Sequence, residues 1–105
     1  MNFPEDADGD VLRKLEEVGV DFSQPQSVDF NVDFDAWPPS KEALAKLQEL
    51  VGSIEIFEPE DGYDGYVLFT RHGLLSYELV VSTQQQVTKL MSNYRGVCES
   101  WGVLH

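Results

Sequence analysis

The sequence has one cysteine, Cys98, so no internal disulfide can form and the fold must rest on its apolar core. Apolar runs are short, and none approaches the roughly 20 residues that cross a bilayer as a helix. Basic residues are scarce: 7 Lys and Arg stand against 19 Asp and Glu, for a formal net charge of −12. Phosphate backbones and anionic lipid surfaces call for a basic patch, so direct partners of either kind are excluded from the expectation. The opening residues include Glu5, Asp6, Asp8 and Asp10 rather than basic residues followed by an apolar stretch. No secretory leader is therefore expected, and the expected compartment is the cytoplasm.

Catalytic chemistry is equally thin. There is no glycine-rich phosphate loop and no pair of Cys or His at metal-ligating spacing. His72 and His105 have no sequence neighbour that would build a nucleophile and base, and Cys98 reads as a small core residue rather than an activated thiol. Asp6, Asp8, Asp10 and Glu17 have the one, three, five, twelve spacing of a calcium loop. Val11, however, stands where that loop needs glycine, and Arg13 sits among the ligands. Helix capping and dipole complementation account for these acids more simply. The expectation is a non-enzyme with no cofactor and no metal.

What the chain does have is a lopsided charge and one sharply patterned segment. Positions 1–64 contain 17 acidic and 4 basic residues, whereas positions 65–105 contain 2 and 3. Within the acidic part, residues 28–34 alternate strictly. As a β-strand they put Val28, Phe30, Val32 and Phe34 on one face, with Asp29, Asn31 and Asp33 on the other. Asp35 extends the acidic side. Burial of the four apolar side chains is worth roughly 1.5–3 kcal/mol each, so the inner face sets the strand's position and the carboxylates are left outward.

The remaining elements follow from caps, breakers and periodicity. Asp10 or Asp8 can cap a helix with Val11, Leu12, Leu15 and Val18 as its stripe, ended by Gly19, and a loop from Val20 to Ser27 precedes the strand. Trp37, Pro38 and Pro39 end the strand, and Ser40 caps a helix carrying Leu44, Leu47, Leu50 and Val51. Ile54 and Ile56 alternate with Glu55 in a second strand, and the Asp-Gly pairs of residues 58–65 mark a hairpin to a third strand over residues 66–72. Spacings of three and four from Tyr77 to Tyr94, with Ser76 as cap, predict one helix over residues 76–95 of roughly 28 Å. A last strand spans residues 97–104. The order predicts a single α+β domain over residues 1–105: a ferredoxin-like βαββαβ sandwich with an antiparallel sheet and an extra N-terminal helix.

The stretch from Asp6 to Leu15, DADGDVLRKL, followed by Gly19-Val-Asp-Phe22 and Val28-Asp-Phe30, resembles the opening of the regulator of ribonuclease activity B family. Tyr94, Gly96 and Ser100-Trp101-Gly102 resemble that family's closing signature, with Glu99-Ser100 standing where Asp-Gly is expected. The resemblance implies a ferredoxin-like α/β sandwich and a cytoplasmic inhibitor that binds ribonuclease E without cutting RNA itself. Together with the charge pattern, this directs attention to a protein partner with a basic surface, for which the resemblance names ribonuclease E. Its candidate contacts are Asp29, Asp33, Asp35 and Glu55, with Trp37 as an apolar anchor. Two other readings stay open: a ligand-binding or sensory ferredoxin-like dimer with a mostly apolar pocket, and an inhibitor of another basic enzyme, such as a toxin-neutralising protein.

Overall fold

The computed structural model describes residues 3–103. Its elements are α1 (Ala7–Glu17), β1 (Pro25–Phe34), α2 (Lys41–Val51), β2 (Glu55–Phe57), β3 (Tyr66–Leu74), α3 (Tyr77–Met91) and β4 (Gly96–Val103), with one 3-10 turn, Ser92–Tyr94, between α3 and β4. The sheet is antiparallel throughout, in the order β2-β3-β1-β4. This is the ferredoxin-like α+β arrangement that the element order predicted. Among the described residues, no helix is long and apolar enough to cross a membrane.

The alternation in β1 is realised as read. Val28, Phe30 and Val32 are fully buried, and Phe30 stacks on Phe69 of β3 with ring centroids 5.2 Å apart. The helices supply the other half of the core through Leu12 and Leu15 of α1, Ala43 and Leu47 of α2, and Val80, Val87 and Met91 of α3. Ser40 and Ser76 cap α2 and α3, each accepting a hydrogen bond from the amide three residues on.

Several boundaries differ from the sequence expectation, each for a local reason. The cap of α1 is neither Asp10 nor Asp8 but Asp6, whose Oδ1 accepts from the Gly9 amide at 2.8 Å. Asp6 also accepts a hydrogen bond from the Tyr77 hydroxyl, and these two bonds hold its carboxyl below the usual carboxylate range. Strand β1 starts at Pro25, inside the expected loop, because its partner β3 continues to Leu74. Val18 and Leu50, expected in apolar stripes, are 62% and 39% exposed; α1 buries Leu12 and Leu15, and α2 turns Ala43 and Leu47 inward. The last regular helix spans 15 residues, roughly 22 Å, because its end tightens into the 3-10 turn and Arg95 adopts a left-handed conformation.

A β-bulge in β4 determines which face Trp101 occupies. Asn31 pairs with Ser100 but Val32 pairs with Cys98, leaving Glu99 as the extra residue. In a regular strand Cys98 and Trp101 would lie on opposite faces, whereas the bulge brings both to the helix side. There the Trp101 indole donates to Asp8 Oδ1 at 2.8 Å, and Gln84 Nε2 of α3 donates to Asp8 Oδ2 at 3.2 Å. The N-terminal helix is thereby fastened on the same side of the sheet as α2 and α3, and the opposite face is uncovered.

Candidate functional site

The uncovered face is read off the register. Ser27 of β1 pairs with His72, Asp29 lies between Gly102 and Thr70, Asn31 between Ser100 and Leu68, and Asp33 between Val97 and Tyr66. Strand β2 adds Glu55 beside Leu68 and Phe57 beside Tyr66. Glu55 therefore shares the face with Asp29 and Asp33, but β3 separates its strand from β1. The Phe57 and Tyr66 rings stack with centroids 4.8 Å apart, making an aromatic corner next to Asp33. The face thus carries carboxylates in its middle and apolar side chains at one end.

Local bonds hold these polar groups in place. Thr70 Oγ1 donates to Asp29 Oδ1 at 2.6 Å, Asn31 Nδ2 donates to Ser100 Oγ at 3.2 Å, and Ser27 Oγ lies 2.8 Å from His72 Nδ1. Asp33 is under different stress: partial burial pushes its carboxyl up from the ordinary value, and the charges of Glu99 and Asp64 add to the push. The bulge that exposes Glu99 and the hairpin that carries Asp64 thus crowd anions around Asp33.

Asp35 does not continue the row of the strand. Strand β1 ends at Phe34, the Asp35 amide donates to the Arg95 carbonyl at 3.0 Å, and its Oδ2 lies 3.8 Å from Arg95 Nε. The reason is the breaker sequence that follows, Trp37-Pro38-Pro39, whose first peptide bond to proline is cis. The indole of Trp37 is half-buried and donates to Glu58 Oε2 at 2.9 Å. It rests against Gly65, where a Cβ would come within 2.7 Å of the ring, so only glycine lets the hairpin approach this closely. The result is a cleft of about 320 Å³ lined by Asp33, Asp35, Asp64 and Trp37 together with Phe34, Pro59 and Gly65. Three of the five residues singled out in the sequence meet here, while Asp29 and Glu55 lie farther along the sheet.

Three of the four acids at calcium-loop spacing have structural partners, and His105 lies outside the described residues. Asp6 caps α1, Asp8 joins α1 to α3 and β4, and Asp10 pairs with Arg13. Cys98 is 3% exposed, and burial, reinforced by the charges of Asp33, Asp8 and Glu99, pushes its thiol up to about 12. At neutral pH it stays protonated and unreactive. A thiol-specific disulfide reagent at pH 7.5 is expected to label the native protein on the order of 100-fold more slowly than the protein in denaturant. Labelling at the rate of an exposed cysteine would contradict the described packing of β4.

Sequence reasoning missed the roles of Asp8 and Asp64. Asp8 is one of four acids between residues 5 and 10 with nothing local to set it apart, and Asp64 is one of four acids in the hairpin over residues 58–65. The Asp64-Gly65 pair was readable as a turn, though not as one wall of a cleft.

A comparison with curated proteins returns no match. A family model described as regulator of ribonuclease activity B matches residues 5–103. The stretches that carry the resemblance at either end of the chain meet in space, through the hydrogen bond between Asp8 and Trp101. With nearly all of its length matched, the chain belongs to the regulator of ribonuclease activity B family.

Proposed function

We propose that this protein is a non-enzymatic cytoplasmic regulator that docks its open, acidic sheet face on a basic segment of ribonuclease E and thereby lowers RNA cleavage. The observation that carries this reading is a sheet face, covered by no helix among the described residues, that holds Asp29 and Asp33 on β1 and Glu55 two strands away on β2. Of the chain's seven Lys and Arg, Arg95 contacts one of the candidate acids, and it does so across 3.8 Å with both side chains mostly exposed. Membership of a family of ribonuclease regulators supplies the class of partner. The acids also repel RNA, so regulation acts on the enzyme rather than on its substrate.

Carboxylates presented this way steer encounter and set orientation more than they add raw affinity. Association with purified ribonuclease E is therefore expected to weaken at least tenfold between about 0.1 M and 1 M salt, as the screening length falls from about 10 Å to about 3 Å. Cleavage of a single-stranded RNA by the enzyme is expected to slow as the protein is added at the lower salt. No association at either salt, or association indifferent to salt, would reject the reading.

A further inference from the structure

We propose that the cleft beside Trp37 is a receptor for one arginine side chain of the partner's basic segment. The proposal rests on the docking reading above and adds to it a site of side-chain size. Its walls come from two stretches of chain: residues 33–37, at the end of β1 and just beyond it, with Asp33, Asp35 and Trp37, and the β2–β3 hairpin with Asp64. The indole is fixed in advance by its bond to Glu58 and by the close approach of Gly65, so the cleft exists without a ligand to shape it.

The lining selects the class of ligand. An apolar group would strip water from three carboxylates with nothing to replace it. A divalent metal needs oxygen atoms converging on one point, and among the described residues no group of three or more acidic, His or Cys side chains is so placed. A guanidinium meets every requirement: it is planar, donates to two carboxylates at once, and lies against an indole. Lysine matches the charge but not the shape, because its ammonium is a compact, strongly hydrated point with no plane to stack. Among the described residues, Arg95 pairs with Asp35 from the rim, and no ion pair reaches Asp33 or Asp64. Partial burial, and after it the charges of Glu99 and Asp64, push the Asp33 carboxyl up, and an incoming cation would offset that penalty.

The two indole N–H signals of ¹⁵N-labelled protein give a direct test, since Trp101 bonds to Asp8 on the helix side and serves as the internal control. The probes are N-acetyl-arginine amide, N-acetyl-lysine amide, and two short peptides of equal length and charge built on arginine or lysine. The arginine probes are expected to shift the Trp37 signal saturably and leave Trp101 still, with affinity roughly three- to tenfold above that of their lysine counterparts. Asp64→Asn is expected to remove most of that preference, with an unmoved Trp101 signal showing that the variant is folded. Equal affinity for arginine and lysine would overturn the proposal. So would peptide-induced shifts confined to Asp29 and Glu55 with Trp37 unmoved, a result that leaves the acidic docking face standing. If the peptides shift nothing, both readings fall together.

Discussion

Reversing two charges, Asp29→Lys with Asp33→Lys, is expected to reduce association with ribonuclease E by at least two orders of magnitude while leaving the protein folded. Each substitution replaces a carboxylate facing a basic partner with an ammonium facing it. At about 4 Å and an effective dielectric constant near 20, one such pair is worth up to about 4 kcal/mol before desolvation and salt are counted. Even about 1.5 kcal/mol surviving at each position multiplies to more than a hundredfold. The structural cost is small by comparison. Asp29→Lys forfeits the bond from Thr70, on the order of 1 kcal/mol, and Asp33→Lys relieves the repulsion from Glu99 and Asp64. Asp33→Asn, which removes one charge without reversing it, belongs between wild type and the double variant. A pull-down in which the double variant retains the enzyme as well as wild type would reject this face as the docking surface.

The largest effect on stability is expected at Phe30, on the other side of the same strand. Phe30→Ala should cost about 3–5 kcal/mol, because it removes a fully buried ring and leaves the face of Phe69 without its stacked neighbour. That is a large share of the total stability of a domain this size, and it lowers the melting temperature by on the order of 15 °C or more. Phe30→Leu keeps most of the apolar volume and should cost about half as much. Denaturant titration should show a shifted midpoint with an unchanged slope. A loss below about 1 kcal/mol for Phe30→Ala would contradict a central strand clamped between sheet and helices.

These two experiments probe opposite faces of a single ribbon, and that ribbon was the most legible part of the sequence. Alternation from Val28 to Phe34 needs no knowledge of neighbours, because a period of two places side chains by backbone geometry alone. The caps Ser40 and Ser76 were legible for a similar reason, since a hydroxyl bonding the amide three residues on is a local event. What escaped the reading depends on chain segments far apart. The hairpin signal at residues 58–65 pairs the Glu55 strand with β3, but nothing near it says that β3 then stands between that strand and β1. The bulge at Glu99 shows in no local composition, yet it decides that Cys98 and Trp101 share a face. Asp6, Asp8 and Asp10 are indistinguishable as caps until Tyr77 engages the first and Trp101 the second. The cleft was legible in its parts only: Asp33, Asp35 and Trp37 were singled out, but closing it required the hairpin to return with Asp64 and Gly65.

The hydrogen bond between Asp8 and Trp101 spans 93 positions along the chain, and β4 is the last of these elements to leave the ribosome. Until synthesis reaches it, β1 lacks one of its two neighbours and the first helix lacks its indole clasp. A nascent chain therefore carries Asp29, Asp33 and Glu55 before the sheet that holds them has its fourth strand.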